Sequence, residues 1–197
     1  MERRLSAIAV YCGSSPGADP VFADVARQLG TLLAQRRVEL VYGGGHVGLM
    51  GTVADAVLAG GGSVHGVITR ALEAKEVAHT QLTSLQVVST MHERKSAMAD
   101  RADAFCMLPG GFGTFDEFFE AVTWTQLGIH AKPCGVLNVG GFYDPLVELL
   151  DAATRERFLL PAHRDMVLVA SDPEAMVDRL SSWVPVVVDK WLDRAQR

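Results

Sequence analysis

Apolar residues fall into two kinds of segment along the chain. Short continuous runs rich in Val, Ile and Ala are typical of strands that are buried on both faces of a parallel sheet. Longer segments repeat apolar residues every three or four positions, as Phe22, Ala26, Leu29 and Leu33 do, and this spacing predicts amphipathic helices. The predicted strands are 7–12, 38–42, 63–68, 85–88, 104–108, 134–139 and 166–170, and the predicted helices are 20–36, 49–59, 91–101, 115–127, 143–153 and 173–183.

This alternation predicts an α/β protein with a Rossmann-like three-layer fold, in which a parallel sheet of about seven strands carries helices on both faces. The chain has 197 residues, which is the length of one domain. We expect that domain to span residues 1–185 and a C-terminal tail to span 186–197. Within the tail, the apolar residues 186–188 are expected to form an edge strand or a docking segment.

Three glycine-rich segments follow predicted strands, at 13–15, 43–48 and 109–114. Open parallel sheets bind their ligands at the carboxyl ends of their strands. Each segment leads into a predicted helix, whose free N–H groups and positive dipole end favour a phosphate. Ser14 and Thr114 add hydroxyl donors. The alternative interpretation, that the glycines only form tight turns, fits one such segment more easily than three.

The second segment matches the pattern G-x-G-x-x-G at Gly43, Gly45 and Gly48. A dinucleotide fold needs this pattern after its first strand, with an acidic residue at the end of the next strand. Here the pattern follows the second strand, and residues 68–70 at the end of the next strand include no acid, so NAD is disfavoured. No GK[ST] sequence follows a glycine cluster, which argues against ATP hydrolysis.

Two acidic residues, Asp116 and Glu117, lie in the first turn of the helix predicted at 115–127. Acids are favoured at a helix N-terminus, where they are ordinarily solvated. A carboxylate one turn from a phosphate-binding segment is also placed to hold ribose hydroxyls or to activate water. The residues alone support the two interpretations equally.

Arg94 lies on or beside the inward stripe of the helix predicted at 91–101, between Met91 and Met98. A buried guanidinium needs an acidic or phosphate partner. The alternative is an arginine whose stem packs against the core while its charged end reaches water. The adjacent Lys95 is either a second ligand for an anion or a solvated side chain.

Composition and charge exclude several classes of protein. The 18 basic and 23 acidic side chains give a net charge of −5, which provides no basis for binding nucleic acid or an anionic membrane. No apolar run approaches the roughly 18–20 residues that span a bilayer, and the N-terminus does not resemble a signal peptide. We therefore expect a cytoplasmic protein that has neither nucleic acid nor membrane as a partner.

Cysteine and histidine spacing gives no sign of a metal centre. The cysteines Cys12, Cys106 and Cys134 are odd in number and form no CxxC pair, so reduced thiols are expected. None of the six histidines has a metal-ligand spacing with another histidine or a cysteine. No G-x-S-x-G motif supports covalent acyl chemistry. Neither a metal nor a cofactor is expected.

Two motifs together resemble those of a known enzyme family. The sequence MHERK at 91–95, followed by PGGFGTFDE at 109–117, is similar to the paired motif of the Lonely Guy family. Its members are cytokinin riboside 5′-monophosphate phosphoribohydrolases, which are often mislabelled as lysine decarboxylases. Many of them have Leu-Glu where this chain has Phe115 and Asp116, but the motif glutamate, Glu117, is intact. The resemblance covers residues 8–180 and includes CGSS at 12–15, YGGG at 42–45 and TWTQLG at 123–128.

The resemblance implies a Rossmann-like homodimer that hydrolyses the N-glycosidic bond of adenosine 5′-monophosphates, including those modified at N6. The products would be adenine or a cytokinin, together with ribose 5-phosphate. A lysine decarboxylase usually needs pyridoxal phosphate on a lysine, and no lysine of this chain lies in a recognisable cofactor motif.

The resemblance also implies roles for individual residues. Glu117 would stabilise the cationic transition state of glycosidic cleavage and direct water, while Arg94 would orient Glu117 and assist departure of the base. The 5′-phosphate is expected on residues 109–114 and on Ser14 or Ser15. The candidate substrate-binding residues are Ser14, Gly45, Glu76, Lys95, Gly110, Gly111, Phe112, Gly113, Thr114, Phe115, Asp116 and Thr123.

Two other functions stay open at the level of the sequence. One is a non-catalytic carrier of a nucleotide or cofactor on the same fold, and the other is a nucleotide 5′-monophosphate nucleosidase of broad specificity. No base-contact motif is legible, so the sequence does not distinguish specific from broad recognition of the base.

The helix predicted at 115–127 also suggests an assembly. Phe115, Phe118 and Phe119 offer more bulk than one helix stripe usually needs, and Trp124 follows them. Part of this surface is therefore expected to pack on a two-fold mate, in agreement with the homodimer that the resemblance implies.

Overall fold

The predicted alternation of strands and helices is present in the computed structural model, which describes residues 5–74 and 78–185. The predicted tail 186–197, with its apolar residues 186–188, lies outside the described residues. The strands are β1 (Ala7–Tyr11), β2 (Glu39–Tyr42), β3 (Val64–Thr69), β4 (Ser84–Val88), β5 (Ala104–Met107), β6 (Cys134–Leu137) and β7 (Val167–Ala170). The helices are α1 (Pro20–Arg36), α2 (Gly48–Ala59), α3 (Arg70–Glu73), α4 (Met91–Arg101), α5 (Phe112–Gln126), α6 (Asp144–Arg155), α7 (Pro161–Arg164) and α8 (Pro173–Ser182).

The strands form one parallel sheet in the order β4-β3-β2-β1-β5-β6-β7. The chain winds outward from β1 to β4 and then returns to β5, which pairs with the free side of β1. At such a reversal the segments after the two central strands leave toward opposite faces, and a crevice opens at the strands' carboxyl ends. The topology therefore places a binding crevice beyond Tyr11 and Met107, the last residues of β1 and β5.

Helices cover both faces of the sheet. On one face, α1, α2 and α8 contribute Leu29, Val53 and Met176 to a buried apolar cluster. On the other face, α4 and α5 contribute Met98 and Phe118 to a second cluster, against which α6 also packs. The predicted three-layer, Rossmann-like fold is confirmed. Among the described helices, none combines the length and the apolar character needed to cross a bilayer.

Local signals account for most helix boundaries. At α4, Thr90 and Glu93 form a reciprocal capping box, which fixes the start of the helix that carries Arg94. The predicted start of α5 is wrong, because the helix begins at Phe112 rather than at residue 115, with Gly111 as its extended N-cap. The short helices α3 and α7 were not predicted, since four residues are too few to show a helical repeat.

Candidate active site

Backbone hydrogen bonds hold the three glycine-rich segments together at the reversal of the sheet. The Gly13 N–H donates to the Pro109 carbonyl at 3.0 Å, and the Leu49 N–H donates to the Gly13 carbonyl at 3.0 Å. A Cβ on Gly48 would lie 2.3 Å from the carbonyl carbon of Ser14, so this contact requires glycine. The segments therefore form one surface rather than three separate loops.

Packing accounts for some of the glycines but not for all of them. A Cβ on Gly110 would lie 2.1 Å from Oγ1 of Thr114 and 2.9 Å from the Gly13 nitrogen, so Gly110 is required by the fold. At Gly111 and Gly113 an added Cβ would meet no atom of the described residues within 4 Å. The tight-turn interpretation therefore leaves these two unexplained, whereas close approach of a ligand to the backbone accounts for both.

The N-terminus of α5 opens onto the crevice. Its N-cap residue is Gly111, and within the described residues no side-chain capping hydrogen bond is made there. The first helical hydrogen bond runs from the Phe115 N–H to the Gly111 carbonyl at 3.0 Å. The N–H groups of Phe112, Gly113 and Thr114 therefore have no helical acceptor. Free N–H groups of this kind, together with the helix dipole, favour an anion.

A cleft of about 300 Å³ lies in front of this helix end. Several predicted site residues line it, namely Ser14, Arg94, Gly111, Phe112, Gly113, Thr114, Asp116 and Glu117. Sequence reasoning missed the apolar residues Met50, Leu72 and Met91, which line the same cleft. Leu72 lies on the unpredicted helix α3, and the two methionines gave no signal that separates a cleft wall from the core.

Arg94 is buried in the wall of the cleft, and only 7% of the residue is exposed. Its Nη1 donates to Oε1 of Glu117 at 2.6 Å. Its Nε donates to the Val67 carbonyl at 2.9 Å, and its Nη2 donates to the Gly43 carbonyl at 3.4 Å. The guanidinium is therefore fixed by β3, by the loop after β2 and by α5, and it does not reach out to water.

Glu117 lies in the second turn of α5, because the helix starts earlier than predicted. Only 11% of its side chain is exposed, so the interpretation as a solvated first-turn acid is wrong. Burial raises the pKa of Glu117, the Arg94 charge lowers it in part, and the nearby Asp116 raises it further. The site therefore holds a buried carboxyl beside a fixed cation.

Asp116 lines the cleft and pairs with Lys95, which does not line it. Lys95 Nζ lies 3.2 Å from Oδ2 of Asp116 and 2.9 Å from Oε2 of Glu120. The Asp116 side chain is 61% exposed, in contrast to the neighbouring Glu117. Lys95 is neither solvated nor an isolated anion ligand, because two carboxylates of α5 surround its ammonium.

Five predicted substrate-binding residues do not line the cleft, namely Gly45, Lys95, Gly110, Phe115 and Thr123. Gly45 lies in the loop after β2 and forms an isolated antiparallel bridge with Ala78. Phe115 and Thr123 line a separate, shallow hollow on α5, and the Thr123 hydroxyl donates to the Phe119 carbonyl at 2.7 Å. A further predicted residue, Glu76, lies outside the described residues. The hollow is lined by Phe112, Phe115, Asp116, Phe119, Glu120, Thr123 and Trp124.

The chain is similar in sequence to a family of known enzymes. The family model described as "Possible lysine decarboxylase" matches residues 50–180. A probable cytokinin riboside 5′-monophosphate phosphoribohydrolase of Oryza sativa subsp. japonica is 48% identical over 185 residues, 94% of this chain and 82% of that protein. A cytokinin riboside 5′-monophosphate phosphoribohydrolase of Arabidopsis thaliana is 46% identical over 182 residues, 92% of this chain and 84% of that protein. The chain belongs to the Lonely Guy family.

Solved structures that share this fold include molybdenum cofactor proteins. A molybdenum cofactor binding protein from Rippkaea orientalis has a TM-score of 0.67 at 22% identity and covers 90% of this chain and 95% of its own. The molybdenum cofactor carrier protein of Chlamydomonas reinhardtii has a TM-score of 0.66 at 20% identity, covering 88% and 96%. At this identity the similarity establishes the shared fold alone.

The decarboxylase description of the family model finds no support in the lysines that the structure describes. Lys95 lies between two carboxylates of α5. Lys132 Nζ donates to the Ala99 carbonyl at 2.6 Å. In both cases the ammonium is held by protein oxygens, and neither lysine lines the cleft. The Lonely Guy relatives are named as phosphoribohydrolases instead.

Proposed function

We propose that this chain hydrolyses the N-glycosidic bond of adenosine 5′-monophosphates, among them the cytokinin riboside 5′-monophosphates named for its relatives. Water adds to C1′ of the ribose, the bond from C1′ to the base nitrogen breaks, and a proton goes to the base. The products are the free base and ribose 5-phosphate. The buried Arg94–Glu117 pair, 2.6 Å apart beside the open N-terminus of α5, is the observation that supports this chemistry best.

The 5′-phosphate is assigned to the N-terminus of α5. The N–H groups of Phe112, Gly113 and Thr114 lack helical acceptors, and the open space at Gly111 and Gly113 lets phosphate oxygens approach the backbone. Ser14 lines the same cleft and offers a hydroxyl. A substrate held in this way would depend strongly on its phosphate.

Glu117 is assigned to the sugar. Glycosidic cleavage passes through an oxocarbenium-like transition state, which a nearby carboxylate stabilises and toward which it can direct water. A raised pKa suits a carboxylate that accepts a proton from that water. Arg94 holds Glu117 in one orientation and adds a positive charge that assists departure of the base.

The base is assigned to the apolar part of the cleft. Met50, Leu72 and Met91 line it, and methionine side chains adapt to flat or irregular apolar groups. An adenine, or the apolar substituent of a cytokinin, would bury surface against these residues.

A homodimer is the proposed assembly, as the family resemblance implies. The hollow on α5 exposes Phe112, which is 94% exposed, next to the partly buried Phe119 and Trp124. A second copy packed there would cover these rings, whereas Phe118 is buried in the core and takes no part. Since Thr123 lies in the hollow rather than in its own cleft, its predicted role in substrate binding would then serve the partner's site.

A reducing compartment, the cytoplasm, is the proposed location. Cys12, Cys106 and Cys134 are buried and form no disulfide within the described part of the chain. Burial raises the pKa of Cys106 and of Cys134 to about 12 each, so both remain inert thiols at neutral pH. Small nucleotides are the proposed partners, with no role for nucleic acid or membranes.

The deciding experiment is incubation of the purified protein with AMP and with N6-isopentenyl-AMP, with chromatography of the released base. We expect release of base in the presence of a chelator and without added cofactor. Binding of AMP without release of base from any monophosphate would instead establish a carrier. Equal turnover of both substrates would indicate a nucleosidase of broad specificity.

A further inference from the structure

A histidine outside the cleft holds the second glycine-rich loop in place. The side chain of His79 is only 2% exposed. Its backbone N–H donates to the Gly44 carbonyl at 3.1 Å, and the adjacent Ala78 forms an antiparallel bridge with Gly45. The loop that carries Gly45, a predicted substrate-binding residue, is therefore tied to residues 78–79.

Both ring nitrogens of His79 are engaged in hydrogen bonds. The Gln81 N–H donates to Nδ1 at 3.2 Å, so Nδ1 carries no proton. The proton is therefore on Nε2, which donates to Oδ1 of Asp55 on α2 at 2.8 Å. The ring of His46, from the glycine-rich loop itself, packs edge-on with its centroid 4.8 Å from that of His79. The imidazole is thus fixed on three sides.

The same cluster has the composition of a transition-metal site, although its members lie far apart in sequence. Potential ligand atoms of His46, Asp55 and His79 all lie within 4.8 Å of one another. A metal on Nε2 of His79 would require the ring proton on Nδ1, where it would face the Gln81 N–H. The hydrogen bonds therefore favour a fixed His79–Asp55 pair over a metal centre.

The loop that His79 holds also touches the catalytic pair. The Gly43 carbonyl accepts from Nη2 of Arg94 at 3.4 Å, and a Cβ on Gly43 would lie 2.1 Å from that nitrogen. Gly44 has a φ of +79°, in the region that favours glycine, so the turn between the two contacts is tight. Displacement of this loop would therefore move the guanidinium that orients Glu117.

We propose that His79, fixed by Asp55, is a positioning residue that sets the loop at 43–45 and, through the Gly43 carbonyl, the guanidinium of Arg94 in the wall of the cleft. The kinetic part of this inference rests on the proposed hydrolysis of nucleoside monophosphates. The binding part needs only that the cleft takes AMP. His79 itself touches neither the cleft nor the reacting atoms.

The test compares His79→Ala with three other variants. We expect His79→Ala to lower kcat/KM for AMP by about ten- to a hundredfold, as misplacement of a binding group does, and to weaken AMP binding as well. His79→Gln keeps an N–H donor for Asp55, and Asp55→Asn keeps an acceptor for the ring. Each of these variants should therefore retain most of the wild-type kcat/KM, unlike His79→Ala. The double variant His79→Ala, Asp55→Ala should be no worse than His79→Ala, because Asp55 acts through the ring.

His65→Ala is the matched control. His65, in β3, is also buried, and its Nδ1 lies 2.6 Å from Oγ of Ser84. It takes part in none of the contacts described above for the loop at 43–45. We expect its activity per folded molecule, with the folded fraction taken from circular dichroism, to match the wild type. Equal losses in His65→Ala and His79→Ala would show a purely structural role and overturn the proposal.

Two further results would contradict the positioning role, and each differs from failure of the proposed function. If chelation of the wild-type protein reproduced the His79→Ala loss, the cluster would act through a metal. If calorimetry gave wild-type and His79→Ala protein the same affinity for AMP, the loop would not depend on His79. A wild-type protein that binds AMP but releases no base would instead refute the hydrolysis alone.

Discussion

At the scale of single residues, the environments of two adjacent acids give them different chemistry. Asp116 is exposed and pairs with Lys95, whereas Glu117 is buried and pairs with Arg94. An exposed ion pair contributes little to stability, but a buried carboxyl beside a fixed cation can act on a charged transition state. The acid that carries the proposed chemistry is therefore Glu117.

Glu117→Gln tests this assignment directly. The amide keeps the shape of the side chain and can still accept from Arg94, but it removes the negative charge. We expect kcat to fall by about a hundredfold or more, as when one transition-state contact is lost, with AMP affinity largely kept. Base release and calorimetry measure the two quantities.

A matched control for Glu117→Gln lies one turn further along the same helix. Glu120→Gln makes the same chemical change at a residue that pairs with Lys95 outside the cleft, and near-normal turnover is expected. Arg94→Ala should reduce kcat as much as Glu117→Gln, and the double variant should be far from additive. Normal turnover in Glu117→Gln would reject the catalytic role.

The raised pKa of Glu117 predicts a pH dependence. The proposed mechanism needs the carboxylate, so kcat/KM should fall as the pH drops through this pKa, at a higher pH than for an exposed glutamate. Because the Asp116 charge raises the pKa, Asp116→Asn should move this acid limb to lower pH. Glu93→Gln is the control, because it removes a carboxyl from the capping box of α4, and it should leave the acid limb of the kcat/KM profile in place. An unmoved acid limb in Asp116→Asn would contradict the assignment of this limb to Glu117.

At the scale of elements, the glycines at the start of α5 differ in their surroundings. Gly110 is held by contacts with Thr114 and Gly13, whereas Gly111 and Gly113 face open space. Substitutions at the two kinds of position should therefore have different consequences, one for folding and the other for binding.

Gly111→Val should weaken binding of monophosphates without unfolding the protein. Valine is a poorer N-cap than glycine, which costs about 1 kcal/mol of the free energy of unfolding, but each lost charge-assisted hydrogen bond to phosphate costs about 1.5–3 kcal/mol of binding. Gly110→Val is the contrasting variant and should lower the melting temperature. Calorimetry and thermal unfolding distinguish the two, and equal turnover of adenosine and AMP would contradict the phosphate site.

The elements themselves were largely predictable from the sequence. The bounds of α4 were predicted correctly, because its capping box and its apolar stripe give the same start. The sequence predicts a start of α5 at residue 115, because glycines ordinarily disfavour helices. In the structure, however, Gly113 lies inside the first turn of the helix. Spacing along the chain also could not show that Arg94 meets Glu117, since that contact depends on how α4 and α5 pack over the sheet.

At the scale of the whole molecule, the exposed Phe112 and the partly buried rings beside it in the hollow on α5 predict a dimer. Light scattering of the wild-type protein should give about twice the chain mass of 21.2 kDa. Phe119→Glu places a charge in the hollow and should give the monomer mass, because an unpaired charge is not tolerated in a packed interface. Val87→Glu, on the edge strand β4, should leave the mass unchanged, and a wild-type mass of one chain would refute the dimer.

The hydrogen bonds among the glycine-rich segments have a consequence for amide exchange with solvent. Surface loops ordinarily exchange their amide hydrogens quickly, because their N–H groups are open to water. Here the amides of Gly13, Leu49 and His79 each donate to a carbonyl of another segment. Amide exchange followed by NMR should find these three amides exchanging more slowly than the open amides of Phe112, Gly113 and Thr114. Because these hydrogen bonds already order the glycine-rich segments, binding of a nucleotide would cost them little conformational entropy. More of the free energy of the contacts with the nucleotide would then remain as affinity.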